Sequence, residues 1–200
     1  MSKTVALAAV LMAGIFSSTH AQSDSPEEKF TIGDQVSGQL FGQLMSVLQE
    51  KITSDGAEAA IAYCRLDALP ITKDVGQKFP EIKSLRRTAL RNRNPSNKPD
   101  STDRTVLEEW QEAWTPGTPP KPVIRKVDLK DGSKEIRYYR PVPTMATCLA
   151  CHGSPADLST EVKAALRRDY PEDEATGFAE GDLRGAIVVT FAGDESPSSD

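Results

Sequence analysis

The sequence predicts an α+β fold in which an antiparallel sheet of four or five strands is flanked by helices, with the N-terminal helix packed alongside. Two observations support this prediction. Helical patterns come first, up to about residue 79, and strand-like segments with short helices inserted between them follow. The turn at Lys130-Asp-Gly-Ser133 joins two of these segments as a β-hairpin, which makes the two strands antiparallel. No internal repeat is visible.

Three helical segments are predicted in the first half of the chain. Apolar residues recur every three or four positions from Lys29 to Thr53, which is typical of an amphipathic helix. Gly56 follows, where a helix commonly ends. An alanine-rich helix is predicted from Ala57 to about Asp67, and Pro70 is expected to open a further short helix that runs to about Phe79.

Strands and short helices alternate in the second half of the chain. The predicted strands are residues 83–91, 123–129, 134–139 and 183–192. The predicted helices are residues 105–114, with Asp103 as the N-terminal cap, and residues 159–168. Residues 141–153 are expected to form a loop or a short helix.

The N-terminus has the features of a secretory signal peptide over residues 1–21. One lysine precedes an apolar run from Thr4 to Phe16, and small residues lead to a plausible cleavage point at Ala21. The run is too short to span a bilayer, although an uncleaved segment would be a membrane anchor. We therefore expect a periplasmic protein without a membrane span, a single domain over residues 22–192 and a disordered acidic tail over residues 193–200.

The mature composition excludes several classes of function. The full chain has 24 basic and 29 acidic residues, and cleavage of the signal peptide removes one of the basic residues, Lys3. The mature chain then has 23 basic and 29 acidic residues, a net charge of −6, so nothing indicates a nucleic-acid partner. His20 leaves with the signal peptide, which makes His152 the only mature imidazole and excludes any site that needs two histidines. The three cysteines of an exported chain cannot all pair with one another.

The pentapeptide CLACH places Cys148, Cys151 and His152 together and allows four interpretations. A thioredoxin-like dithiol shares the cysteine spacing but requires a parallel βαβ pattern that is missing here. A zinc site would need Cys64 as a fourth ligand, and adjacent Cys151 and His152 reach one tetrahedral ion awkwardly. A disulfide between Cys148 and Cys151 would close a very small loop and stabilise little.

The fourth interpretation, covalent attachment of one haem c, gives every residue of the motif a role. Two thiols in C-x-x-C spacing can form thioethers with the two vinyl groups of a porphyrin, and the adjacent histidine then becomes the proximal iron ligand. Bacteria make this attachment outside the cytoplasm, which agrees with the signal peptide. We therefore predict Cys148 and Cys151 as attachment sites and His152 as the iron ligand.

The ligand on the opposite face of the iron cannot be a second histidine. The candidates are Met45, Met145, Cys64, a lysine, a tyrosine or water. Met145 is tethered close to the attachment site, and Met45 lies in an apolar stripe where methionine commonly fills the core. Cys64 lies on a helical face rich in alanine, and the adjacent Arg65 could favour its thiolate. From the residues alone, ligand and buried free thiol both remain open for Cys64.

Haem propionates need cationic or hydrogen-bonding partners. One group of candidates lies in or just after the predicted strand at residues 83–91, and a second group precedes the CLACH motif. On an edge strand, any one of the arginines could instead face solvent. The candidates are Arg86, Arg87, Arg91, Arg93, Tyr138, Tyr139 and Arg140.

Four segments taken together resemble a known family. They are AIAYCRLDA (60–68), SLRRTALRNRNPSNKPD (84–100), IRYYRPVPTMATCLACHG (136–153) and DYPEDEATGFAEGDLRGAIVV (169–189). This combination resembles a family of c-type haem domains with a PAS-like fold, long catalogued as a domain of unknown function and also found as the extracytoplasmic sensor part of some histidine kinases. The resemblance implies an antiparallel PAS-like sheet of about five strands and iron ligation by His152 and Cys64.

With protein atoms on both faces of the iron, no coordination position would remain open for a substrate, so an enzyme is not the favoured interpretation. A thiolate ligand should lower the reduction potential. The chain is then expected to act in redox or gas sensing, with a diatomic ligand such as NO or CO, or in one-electron transfer with a partner protein. Sensing is preferred because a cysteine ligand is poorly suited to fast exchange that conserves the ligand. The alternatives are weak peroxidase activity and a zinc or dithiol module without haem.

Overall fold

A computed structural model describes residues 25–193. The predicted signal peptide and the tail from Asp194 onward lie outside the described residues. In chain order the helices are α1 (Pro26–Gly76), α2 (Ser101–Ala113), α3 (Leu149–His152) and α4 (Thr160–Asp169), and the strands are β1 (Ser84–Thr88), β2 (Val123–Asp128), β3 (Lys134–Pro143) and β4 (Leu183–Ala192). Two short 3₁₀ turns, Pro95–Asn97 and Ala146–Cys148, complete these elements.

The four strands form one antiparallel sheet in the order β1-β4-β3-β2, which confirms the α+β prediction. The described residues contain four strands, the lower of the two counts that the strand pattern allows. β3 and β4 are ten residues each and form the centre, while the shorter β1 and β2 lie at the edges. The predicted hairpin joins β2 to β3, with Asp128 opposite Lys134.

The helix α1 runs from Pro26 to Gly76 with a single break. Gly56 has φ +84°, a conformation that side chains disfavour, and it separates residues 26–55 from residues 57–76. The prediction that Pro70 opens a separate helix is wrong, because residues 57–76 stay helical through it. Proline removes one backbone donor there, and Leu66, four residues earlier, is 62% exposed, so water can reach that part of the helix in its place.

The sheet is the middle layer between α1 and α2, as the alternation of side chains along β4 shows. Ala186 and Val188 pack with Trp110 and its neighbours on α2. Ile187 packs with Leu40 of α1 on the opposite face. This two-residue period places each β4 side chain in one of two cores and fixes which face of the sheet α1 covers.

A buried ionic cluster fixes α2 to the sheet, and we refer to it as the Asp103 cluster. Asp103 has no exposed surface and receives two hydrogen bonds from Arg86 at 2.6 and 2.7 Å, and one from the Tyr139 hydroxyl at 2.9 Å. Asp100, rather than Asp103 as predicted, caps the helix. Asp103 is the third helical residue of a reciprocal capping box, and the sequence pattern could not assign the two roles because both positions carry an aspartate.

Candidate functional site

A cavity of about 230 Å³ lies between α1 and the sheet and opens to solvent. Its walls include all four of the predicted site residues, Cys64, Cys148, Cys151 and His152. Cys64 comes from the part of α1 after the Gly56 break, whereas the other three lie on the turn and helix that follow β3. Residues distant in sequence therefore meet at one site.

The motif is held in a short helical turn with an obligatory glycine after it. Cys148 ends the turn Ala146–Cys148, and α3 carries Cys151 and His152. The Gly153 N–H donates to the Leu149 carbonyl at 3.0 Å, and a Cβ atom at Gly153 would lie only 2.6 Å from that oxygen. Glycine is therefore needed directly after the histidine for this tight end of the helix.

His152 is oriented by a hydrogen bond from its ring. Nδ1 lies 2.6 Å from the Ala175 carbonyl oxygen, which can only accept, so Nδ1 carries the proton. Burial, followed by the positive charges of Arg184 and Arg93, holds the pKa of His152 well below its usual range. The neutral ring keeps the lone pair of Nε2 free for a metal, with the other nitrogen anchored as is common for metal-binding histidines.

The segment from Ala175 to Phe178 packs against the CLACH motif and hydrogen-bonds to it. The Phe178 N–H donates to the His152 carbonyl at 2.9 Å, and the Phe178 ring meets the imidazole edge to face at 6.3 Å. Arg93 links both sides, since one nitrogen donates to the carbonyl oxygens of Cys151 at 2.6 Å and of Ala175 at 3.2 Å. No residue pattern predicts these contacts, because backbone carbonyls carry no residue identity.

Cys64 is a half-buried thiol on the opposite wall. Burial raises its pKa, and the positive charges of Arg87 and Arg93 oppose that rise. The expectation that Arg65 favours the thiolate is wrong, because Arg65 is directed to Asp169, 4.0 Å away. Sequence neighbours on a helix point about 100° apart, so the cations that act on Cys64 come from across the cavity.

All three cysteines are free thiols in the structure. Across residues 25–193, no three His, Cys, Asp or Glu side chains converge as a metal-binding group of the kind that a four-ligand zinc site requires. Of the methionines proposed as the second ligand, Met45 lines the cavity with Cys64, and Met145 is not among its lining residues. Tyr170 also lines it and was missed, since a single tyrosine in a loop carries no pattern.

Three arginines reach the cavity, and two of them have no carboxylate partner among the described residues. Arg93 pairs with Asp173 at 3.1 Å. Arg184 donates only to the Arg91 carbonyl, at 3.1 Å, and lies over the Phe178 ring. Its pKa is lowered to about 10, first by burial and then by Arg93. Arg87 has a buried Nε without any acceptor. The cavity thus has two half-buried cations to offer to anionic groups.

The remaining propionate candidates lie elsewhere. Arg91 donates to the Glu174 carbonyl at 3.1 Å and stacks on Phe178, and the others are bound to the carboxylates of Asp34 and Asp103. Those others are Arg86, Tyr138, Tyr139 and Arg140. Arg184 was not among the predicted propionate partners, although it is the second residue of the strand predicted over residues 183–192.

The donor set fits a haem. Two thiols and an imidazole stand in the attachment spacing, and a third thiol lies on the facing helix. The guanidinium groups of Arg87 and Arg184, which have no carboxylate partner in the described part of the chain, suit the anionic groups of such a site, its propionates and a ligated thiolate. None of the described helices is both long and apolar enough to cross a bilayer.

Comparisons with known proteins agree with this fold and with the family resemblance. The model of the Tll0287-like family matches residues 8–192. A crystal structure of the cyanobacterial haem protein Tll0287 superposes with a TM-score of 0.59 at 23% identity, covering 84% of this chain and 96% of that one. At that identity the structural likeness concerns the fold alone. No curated protein matches the sequence.

Proposed function

The chain belongs to the Tll0287-like family, and from this premise we propose that it is an exported protein that carries one covalently attached haem c. Cys148 and Cys151 would form the thioethers, and His152 and Cys64 would bind the iron. When bound, the haem supplies one-electron redox chemistry. The proposal places the protein in the periplasm, where the attachment is made.

The observation that carries this proposal is the convergence of four side chains on one cavity. Cys64 approaches from α1, and Cys148, Cys151 and His152 approach from the segment after β3. The Ala175 carbonyl holds Nδ1 of His152, so that only Nε2 is available to a metal. Arg184 lines the same cavity without a carboxylate partner among residues 25–193 and would be available to a propionate.

The ligand set supports sensing or electron transfer rather than turnover of a substrate. With His152 and Cys64 both holding the iron, no position would remain open for a substrate, and a thiolate ligand would lower the reduction potential relative to a methionine-ligated cytochrome c. The Gly56 break in α1 is the observation that favours sensing. It separates the Cys64 segment, residues 57–76, from residues 26–55. In a sensor, displacement of Cys64 would be passed on as a movement of residues 57–76 about this break.

Two substitutions of sulfur in the same cavity test the ligand. Cys64→Ala should convert a low-spin ferric spectrum into a high-spin or water-ligated one, since the substitution removes the only ligand on that face. Met45→Leu is the matched control, because it removes the methionine sulfur that lines the cavity and should leave the spectrum unchanged. A Cys64→Ala spectrum that stays low-spin and unchanged would remove Cys64 from the iron, and loss of the low-spin spectrum in Met45→Leu alone would assign the ligand to Met45.

Carbon monoxide separates the two functions. Rapid and complete binding of CO by the reduced protein, with loss of the sulfur ligand, is the result expected of a gas or redox sensor. Refusal of CO together with fast electron exchange between protein molecules would instead identify an electron carrier, which keeps its ligands in both oxidation states.

A further inference from the structure

We propose that Arg87 is the cationic partner of the Cys64 sulfur and that its positive charge sets how readily the iron bound by that sulfur is reduced. The proposal rests on the haem site described above and adds a positioning residue to it. Arg87 acts through Cys64, on the face of the haem opposite His152.

The position of Arg87 in β1 places its side chain on the face of the sheet that carries the cavity. Arg87 lies opposite Ile187 in the sheet, and Ile187 packs on α1, so the Arg87 side chain stands on the α1 face. The preceding residue, Arg86, points to the other face and is held there by both oxygens of Asp103. This buried clamp fixes the strand, because a slip of one residue would exchange the two arginines between the faces.

Arg87 has a donor to offer that no group of the described protein accepts. Its Nε is buried and makes no hydrogen bond, and none of its nitrogens forms an ion pair with a carboxylate. Buried donors are almost always satisfied, so an orphan at the wall of a cavity indicates an acceptor that arrives with the bound state. Cys64 and Arg87 line the same cavity. Burial raises the pKa of the Cys64 thiol, and the positive charge of Arg87 opposes that rise.

A thiolate is a suitable acceptor, and its ligation would give the guanidinium group an effect on the iron. A hydrogen bond from a cation withdraws electron density from the sulfur and weakens its donation to the metal. A fixed positive charge near the iron also favours the state with one more electron. Both effects have the same sign, so loss of the charge should make reduction harder.

The decisive experiment compares midpoint potentials and iron–sulfur stretching bands of intact holoprotein variants. Arg87→Gln should lower the equilibrium constant for reduction at least tenfold, which is about 59 mV for one electron. The iron–sulfur stretch should move to higher frequency. Arg87→Lys keeps the charge and should restore the constant to within about threefold. Arg125→Gln removes the same charge from the exposed strand β2 and should change neither quantity, because solvent screens it.

Distinct outcomes overturn distinct claims. Arg87→Gln with covalent haem and the sulfur band retained, but with an unchanged potential, would refute the role of Arg87 and leave the haem site standing. Absence of haem from the wild-type protein would refute both. If Arg87→Gln yields no folded holoprotein, the iron–sulfur stretching band of the wild-type protein is compared in water and in deuterium oxide. The band should shift, because the donor on the sulfur carries an exchangeable proton. A band that does not shift would contradict the proposal, as would an equilibrium constant for reduction that falls tenfold in Arg87→Lys.

Discussion

Replacing Asp103 by asparagine tests how the fold holds β1 against the cavity. The substitution keeps the size of the side chain and removes its charge. In the structure both carboxylate oxygens face donors, because Arg86 bonds to each of them and the Tyr139 hydroxyl bonds to one. An asparagine can present only one acceptor there, so its amide nitrogen must face a donor from Arg86 or from the Asp100 backbone.

The expected cost follows from the burial of Asp103 and of its two arginine partners. Removal of one member of a buried ion pair costs about 3–5 kcal/mol. Asp103 has no exposed surface, but the Arg86 side chain is 32% exposed, so part of its charge can be solvated. Arg137, 3.4 Å from Asp103, keeps its ion pairs with Asp100 and Glu135, so the lower end applies. We expect a loss of about 3 kcal/mol in the free energy of unfolding, a large share of the roughly 5–15 kcal/mol typical of a domain.

Urea unfolding followed by far-ultraviolet circular dichroism measures this loss. With a denaturant slope of about 2 kcal/mol/M, the midpoint should fall by about 1.5 M. Glu109→Gln is the matched control on the same helix, because it removes the charge from the half-exposed pair that Glu109 forms with Arg125 at 2.8 Å. That change should cost less than about 1 kcal/mol. A loss for Asp103→Asn no larger than the control would refute the reasoning.

Two further predictions concern packing and pH. Gly33→Ala should lower the free energy of unfolding by about 1–3 kcal/mol, since the added Cβ would lie 2.7 Å from Cδ2 of Tyr138. Gly42→Ala on the same helix, where nothing lies within 4 Å, should be neutral or stabilising in the same urea titration. Burial raises the pKa of Asp100 and of Glu135, but hydrogen bonds from cationic and backbone donors outweigh it and leave both below their ordinary 3.8 and 4.5. Their contribution to the free energy of unfolding should therefore be complete above about pH 5. It should decline as the pH falls below 4.5 and through the lowered pKa values of the folded protein. A free energy of unfolding that rises on acidification in this range would contradict the ion pairing.

Elements with a local cause were predictable from the sequence. The strand β4 covers residues 183–192 as predicted, because a continuous apolar run can be buried on both faces of a central strand. The hairpin at residues 130–133 was predictable because its Asp-Gly pair encodes the turn. The placing of Cys148, Cys151 and His152 at one site was predictable because they lie within five consecutive residues.

Features that depend on tertiary contacts were not predictable in the same way. Pro70 looked like a helix start, but packing of α1 on the sheet keeps the helix continuous through it. Arg65 looked like the partner of Cys64 because it is adjacent in sequence, whereas Arg87 reaches the cavity from another element. The carbonyl that fixes His152 belongs to Ala175, and no residue pattern marks a backbone acceptor.

The alternation of β1 was the one available signal that sequence reasoning did not use. In a strand, Arg86 and Arg87 must face opposite sides, so only one of them could reach the cavity. The structure assigns Arg86 to the Asp103 cluster and Arg87 to the cavity. Knowing which face α1 covers was needed to decide between them, and that is a property of the assembled layers.

The most direct test of the haem proposal is the intact mass and absorbance of protein produced with the haem-attachment machinery and then unfolded in denaturant. Two thioethers through Cys148 and Cys151 predict the mass of the polypeptide plus one haem, with the colour retained after unfolding. A colourless chain with the mass of the polypeptide alone, or a haem that separates on unfolding, would contradict the account.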